Sequence, residues 1–278
     1  MRPRRQYSLA RGGHRPGRCY RLRVRYLLLS DVHGNATALD TVLRDAKRRG
    51  FDATLFLGDA VGYYPQVERV VDTLMALEPV ANLLGNHDAQ LLGVIDGSGD
   101  VTGMGSGEIV GPVLEHQAGV LSATAIEWLR SMNGHYGEER FEAVHGALKR
   151  TWQYLHGLPE AEENLPFLSR PLCLVGHTHV PRVLAATDGP DGRTLWRQMT
   201  FREAGGIYRM PPRAQGFFNP GSVGQPRDGI PLASYAIFDV ERMRIEVIRV
   251  SFDIVTVQRA VREARYPEPL AARLAVGK

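Results

Sequence analysis

Leu55-Phe56-Leu57-Gly58-Asp59-Ala60-Val61-Gly62 reads as a short apolar strand that stops at a glycine and delivers one carboxylate, Asp59, at its carboxyl end. In open α/β sheets ligands collect at the carboxyl ends of strands, so Asp59 stands where chemistry is expected. A lone Gly-Asp pair is weak evidence, because most such pairs are turns. Three other strand ends finish in the same kind of residue: Asp31-Val32-His33-Gly34-Asn35, Gly85-Asn86-His87-Asp88 and Gly176-His177-Thr178-His179. Oxygen and imidazole groups at several strand ends describe a metal site, with Asp59 as its candidate centre.

Working outward, Tyr26–Ser30 is apolar enough to be buried on both faces, as a central parallel strand requires. Residues 36–49 show helical spacing through Leu39, Val42, Leu43 and Ala46, with Asn35 placed as N-cap and Gly50 just past the end. Pro65 opens a second helix carrying Val67, Val70, Val71 and Leu74, and 80–84 forms a third strand. Strand and helix alternating at these intervals predict a mostly parallel sheet with helices packed on it. Residues 93–112 are glycine-rich without an apolar period and read as a loop, a candidate lid. Helices are expected over 113–120 and 123–131, a strand at 141–144 runs into His145, a helical cap covers 151–169, and a strand at 172–175 runs into Gly176. Segments 181–186, 193–201, 206–210, 234–240 and 244–250 alternate like antiparallel strands, with a turn at 219–224 and a closing helix at 254–264.

The chain has 278 residues, 44% hydrophobic and 23% charged, the balance of a globular protein with a sizeable core. No apolar run approaches the roughly 20 residues of a membrane helix. Its formal charge of +4 misleads, because residues 1–24 hold eight arginines and no acid. The remaining 26 basic residues against 30 acidic ones leave the body at −4. Residues 1–24 therefore read as a basic, disordered extension, and 25–278 as the folded domain. Such an extension is the one part suited to nucleic acid; it lacks a secretion-signal core and only slightly resembles a transit peptide. Two cysteines, Cys19 and Cys173, make no disulfide framework, so a reducing, cytoplasmic setting is expected.

Residues two apart in an extended segment point the same way, which pairs Asp31 with His33 and His177 with His179. Asp59, Asn86 and His145 add one group each. Seven candidate ligands exceed what one ion takes from a protein, whereas a bridging carboxylate can hold two cations about 3.5–4 Å apart. Mixed oxygen and imidazole ligands suit Mn, Fe, Zn or Ni, and the lack of thiolate argues against structural zinc.

In order and separation, Asp31-x-His33, Gly58-Asp59, Gly85-Asn86-His87-Asp88, His145 and Gly176-His177-x-His179 resemble the five blocks of the calcineurin-like metallophosphoesterase superfamily, and the 219–226 segment is similar to its small bacterial phosphodiesterase-like members. The resemblance implies an αββα fold, two β-sheets flanked by helices. It implies Asp31, His33, Asp59 and His179 on one metal and Asp59, Asn86, His145 and His177 on the other, with Asp59 bridging and manganese the favoured ion. A water between two such ions yields hydroxide near neutral pH. His87 is similar to the family histidine that assists the leaving group, and Asp88 is expected to orient its ring and favour its protonated form. Asn35, Arg227 and Tyr63 are candidate substrate contacts: a phosphate contact, a bidentate phosphate clamp and a stacking ring. For Asn35 capping, for Tyr63 packing at a helix start and for Arg227 a solvated position stand as alternatives. His14, His116, His135 and His156 lie outside any motif. The expected partner is a small phosphorylated substrate. Protein phosphatases of the superfamily carry an arginine soon after Gly-Asp and a glutamate after Gly-Asn-His; Val61-Gly62-Tyr63-Tyr64 and Asp88 stand here instead. A small-molecule phosphodiesterase or phosphatase fits better, with a dinucleoside polyphosphate hydrolase and a non-catalytic scaffold of the same fold as alternatives.

Overall fold

The computed structural model describes residues 24–98 and 107–278. The basic extension and the middle of the glycine-rich stretch fall outside these residues. The strands are β1 (Arg25–Leu29), β2 (Ala53–Phe56), β3 (Ala81–Asn82), β4 (Tyr136–Gly137), β5 (Phe141–Ala143), β6 (Leu172–Leu174), β7 (Arg182–Asp188), β8 (Thr194–Thr200), β9 (Gly206–Arg209), β10 (Gln215–Asn219), β11 (Ala233–Asp239) and β12 (Arg244–Val250). The helices are α1 (Ala36–Arg49), α2 (Val67–Ala76), α3 (Asn86–Asp96), α4 (Gly107–Val120), α5 (Ala123–Arg130), α6 (Leu158–Asn164), α7 (Ile254–Glu263) and α8 (Glu268–Leu274). None of the described helices is long and apolar enough to cross a membrane.

Two six-stranded mixed sheets form, ordered β3-β2-β1-β11-β12-β9 and β4-β5-β6-β10-β7-β8. The layering follows from alternation along buried strands. Leu28 of β1 and Leu55 of β2 point between the sheets, where they meet Leu174 of β6 and Phe218 of β10. Their neighbours Leu27, Leu29 and Phe56 point the other way, into a core with Leu39 and Val42 of α1 and Val70 of α2. Cys173 and Phe217 repeat this on the second sheet, facing Leu155 and Ala161 of the cap. Helix, sheet, sheet, helix is the αββα arrangement. Each fully buried Leu or Phe contributes about 1.5–3 kcal/mol, so strands apolar on both faces belong in the middle.

Parallel pairing sets where the site lies. β1 and β2 run parallel in the register Leu27↔Thr54, and β2 and β3 in the register Leu55↔Ala81. In the other sheet β6 is parallel to both β5 and β10. Within each sheet the carboxyl ends of these strands therefore emerge along one edge, and every ligand block follows one of those ends.

Three expectations need correction. The stretch expected as a loop over 93–112 is helical at both ends, since Gly93 lies inside α3 and Gly107, Gly111 and Pro112 lie inside α4. Helix α3 begins directly at Asn86, because the Asp88 carboxylate accepts from the Gly85 N–H at 2.9 Å and caps it. The cap over 151–169 is helical only from Leu158, and α8 follows the helix expected to close the chain.

Candidate metal centre

The loops after β1, β2, β5 and β6 and the first turn of α3 converge on one buried point. The Asp31, His33, Asp59 and His179 ligand atoms lie within 4.8 Å of one another, and those of Asp59, His145 and His177 form a second such group. Asn86 joins the second group, its Oδ1 lying 3.3 Å from His145 Nε2. Asp59 Oδ2 is 3.5 Å from His33 Nε2 on one side and 3.3 Å from His145 Nε2 on the other. The seven side chains expected as ligands thus come together with Asp59 in the middle.

The convergence does not come from β alternation. Asp31, His33, Asp59, His177 and His179 have φ of 54°, 51°, 61°, 67° and 60°, all left-handed. That conformation costs a non-glycine residue about 1 kcal/mol or more, so five of them at one point are strain concentrated where it aims side chains. Gly58 makes room: at φ +100° an added Cβ would sit 2.6 Å from His145 Nδ1.

Each imidazole has one nitrogen engaged by a carbonyl. His33 Nδ1–H donates to Val61 O at 2.8 Å, His145 Nδ1–H to Leu57 O at 2.7 Å and His179 Nδ1–H to Gln225 O at 2.6 Å. These bonds turn Nε2 of each ring toward the centre. His177 is reversed, donating from Nε2 to Trp152 O at 3.1 Å, so Nδ1 faces inward. Fixed tautomers of this kind orient metal-ligating histidines. Asp31 accepts from the Ser30 hydroxyl and from the His177 N–H. Asp59 Oδ1 accepts from the His87 N–H at 2.9 Å, whereas Oδ2 is buried without a hydrogen bond and has only the His145 and His33 rings beside it, at 3.3 and 3.5 Å. A buried carboxylate oxygen facing imidazole nitrogens on both sides is the donor arrangement two divalent cations require.

Electrostatics agree. Burial pushes Asp31 and Asp59 up, but surrounding histidines, His179 first at Asp31 and His145 first at Asp59, hold both below the usual carboxylate range. Burial pushes His33 and His179 down and takes His177 to about 3, so these rings are neutral and able to ligate. His145 differs: burial is the largest single influence and opposes its charge, but Asp59, Asp31 and the Leu57 carbonyl together outweigh it and raise it to about 9.

Several expected roles change. Asp88 does not orient His87; its carboxylate accepts from the Asp59, Ala60 and Val61 N–H groups at 2.8, 2.9 and 3.2 Å, besides Gly85. Burial and the Asp59 charge push it up to about 7 against the pull of those donors. It braces the bridging loop. His87 lacks an acidic partner and burial takes its ring to about 4, so it is neutral rather than protonated, with Nδ1 buried and unpartnered. Asn35 caps α1 through Oδ1 to the Ala38 N–H and donates to Gly224 O at 2.9 Å, which commits its amide to backbone. Tyr63 is 6% exposed, its ring tilted against the touching pair His33 and His87 at 4.5 and 4.7 Å, so burial leaves no face for a stacked base. Its hydroxyl accepts from Arg227 Nη2 at 3.0 Å, so Arg227 lies at the site, held inward and partly buried. Outside the site, His116 bonds the Tyr266 hydroxyl and His135 bonds Glu142.

A model of the calcineurin-like phosphoesterase superfamily domain matches residues 24–243. The chain belongs to that superfamily. It is a metal-dependent phosphoric ester hydrolase with residues placed for divalent cations. An uncharacterized protein of Methanocaldococcus jannaschii is 30% identical over 90% of this chain and 97% of its own length. The crystal structure of a metallophosphoesterase from Sphaerobacter thermophilus is 33% identical with a TM-score of 0.78, over 92% of this chain and all of that one. A hypothetical protein from Pyrococcus horikoshii shares the fold, at 16% identity and a TM-score of 0.68 over 92% of this chain and 99% of its own. A symmetrical bis(5'-nucleosyl)-tetraphosphatase of Nitrosomonas europaea is 33% identical over 37% of this chain and 38% of its own length.

Some members of the site left no mark in the sequence. Tyr154 stacks on His177 at 3.8 Å and 13°, and is 39% exposed at the rim. Trp152 acts through its backbone carbonyl, which any residue supplies, whereas Gln225 uses its carbonyl on His179 and its side chain on Arg227. Arg273, on α8, reaches Tyr63 from a helix whose ends carry no site motif.

Proposed function

We propose that this enzyme hydrolyses phosphodiester bonds of a small, nucleotide-type substrate, with two manganese ions as cofactor and in a reducing compartment. The observation that carries the reading is the buried Asp59 Oδ2, without a hydrogen bond and shared by two donor sets. When bound there, two divalent cations neutralise phosphate oxygens and lower the pKa of a water to near neutrality. The chain's own residues do the rest. Asp59 fixes the separation of the two halves, and the carbonyl-bound histidines hold them without rearrangement. His87, neutral and backed by Tyr63, offers its single N–H to the departing oxygen. Tyr154 lies at the rim stacked by His177 at 3.8 Å and by His156 at 5.0 Å, so it offers its exposed edge and hydroxyl, not a ring face, to the substrate. The partial likeness to a nucleoside tetraphosphatase supports a nucleotide substrate and keeps a dinucleoside polyphosphate as the second reading. A scaffold without catalysis is disfavoured because all seven ligand positions and His87 are occupied by competent side chains.

The test is metal content by mass spectrometry together with turnover of bis(p-nitrophenyl) phosphate and p-nitrophenyl phosphate, with and without manganese. Manganese-dependent diester turnover abolished by chelator is expected. Two bound metals with no turnover of either ester would point to the scaffold.

A further inference from the structure

Two arginines meet on one tyrosine beside the metal centre. Arg227 Cζ lies 5.5 Å from the Tyr63 ring centroid and Arg273 Cζ lies 5.7 Å from it. Arg227 is fixed by neutral groups: Nε and Nη2 donate to Gln225 Oε1 at 3.0 and 2.8 Å, and Nη2 also donates to the Tyr63 hydroxyl. Its Nη1 has no partner among the described residues. Arg273 gives Nε to an oxygen of the terminal Lys278 carboxyl group, an anion on one edge of the fork, which leaves both Nη groups without a partner among the described residues. Neither guanidinium has an aspartate or glutamate within ion-pairing distance among the described residues. The two charges repel: burial first, and then Arg227, push Arg273 below its ordinary value.

The pair is built in, not incidental. Gln225 holds Arg227 through its side chain and His179 through its carbonyl, so one residue ties the cation to a metal ligand. Asp228, next to Arg227, pairs with the buried Arg249 at 2.7 Å. The Gly229 N–H donates to Gly277 O at 2.9 Å, which fastens the end of the chain, and with it α8, to the Arg227 loop. Holding two like charges together at partly buried positions is unfavourable unless an anion completes them, and guanidinium forks match phosphate oxygens. In a metal-loaded centre the reacting phosphate would take the two cations, and the two guanidiniums, gathered on the Tyr63 ring that packs on His33, are placed for a further anionic group.

We propose that Arg227 and Arg273 form a subsite for a second phosphate group of the substrate, so that the preferred substrates carry two or more phosphates. This rests on the phosphoesterase reading above and narrows its substrate class.

The experiment compares binding of AMP, α,β-methylene-ADP and adenosine 3′,5′-bisphosphate to the manganese-loaded protein by calorimetry, in wild type and in Arg273→Met and Arg273→Lys. The methionine keeps a stem over Tyr63 and removes the charge. In wild type, one of the two-phosphate ligands is expected to bind at least about tenfold tighter than AMP, as charge-assisted bonds imply. Which one does so distinguishes adjacent from remote phosphates. Arg273→Met is expected to erase most of that preference and Arg273→Lys part of it. Equal wild-type affinity for all three ligands, which needs no variant, overturns the proposal, as does a loss in Arg273→Met equal for all three. Turnover of bis(p-nitrophenyl) phosphate, measured alongside, separates the two readings. Turnover without a two-phosphate preference sinks only the subsite; preference without turnover sinks only the hydrolase assignment.

Discussion

The two oxygens of Asp59 have different tasks. Oδ1 is tied to the His87 N–H, which fixes the rotamer, and Oδ2 is left without a hydrogen bond at the centre. Asp59→Asn replaces one oxygen by a donor that repels a cation, so at least one metal per chain should be lost by mass spectrometry. His87 touches neither donor set through its ring nitrogens, so His87→Ala should keep both metals and lower kcat by about 10²–10³-fold, the usual worth of one preorganised donor aimed at developing charge. Unchanged kcat would remove His87 from the reaction. His145 supplies a pH test. Its pKa is raised to about 9, so without metal the ring carries a proton at pH 7, and ligation through Nε2 must expel it. Metal loading near pH 7 should release about one proton from this ring, detected by calorimetry in buffers of differing ionisation enthalpy, with release fading as pH rises past about 9. Because His33, His177 and His179 are held down, they add nothing near neutrality. No release at pH 7 would contradict the His145 assignment.

At the scale of elements, the short helix α3 acts as a clamp. Its Asp88 gathers four backbone N–H groups from Gly85 and the 59–61 loop, holding Asp59 in its left-handed conformation. Asp88→Ala leaves those donors buried and unsatisfied, so unfolding should become easier by about 3 kcal/mol or more, read by urea titration, with loss of metal at lower temperature than wild type. A change under about 1 kcal/mol would mean the loop holds itself. The element-level reading of the sequence succeeded where apolar period and block spacing coincide, as in α1, α2, β1 and the ligand blocks. It failed at α3, where Gly93 and the catalytic-looking Asn86-His87-Asp88 mask a helix start made by capping. Alternation predicted that Asp31 and His33 share a side, and they do, but through left-handed backbone that spacing does not encode. Arg273 was missed for a related reason: only tertiary packing of α8 brings it to Tyr63.

Across the whole molecule, the ligands come from both sheets. Asp31, His33, Asp59 and Asn86 follow β1 to β3, whereas His145, His177 and His179 follow β5 and β6 of the other sheet. Bound cations therefore staple the two sheets at one edge, while Leu28, Leu55, Leu174 and Phe218 hold them along their faces. Removing metal with chelator should lower Tm while leaving the fold, because binding contributes about 2.7 kcal/mol at a metal concentration 100 times Kd. Leu28→Ala, a cavity in the shared face, should cost about 2–5 kcal/mol with or without metal. The most direct measurement is anomalous diffraction from a crystal grown with manganese. Two peaks should appear, one on each side of Asp59 Oδ2, the first within bonding distance of Asp31, His33 and His179 and the second within bonding distance of Asn86, His145 and His177. A single peak, or none near Asp59, would contradict a shared dinuclear centre.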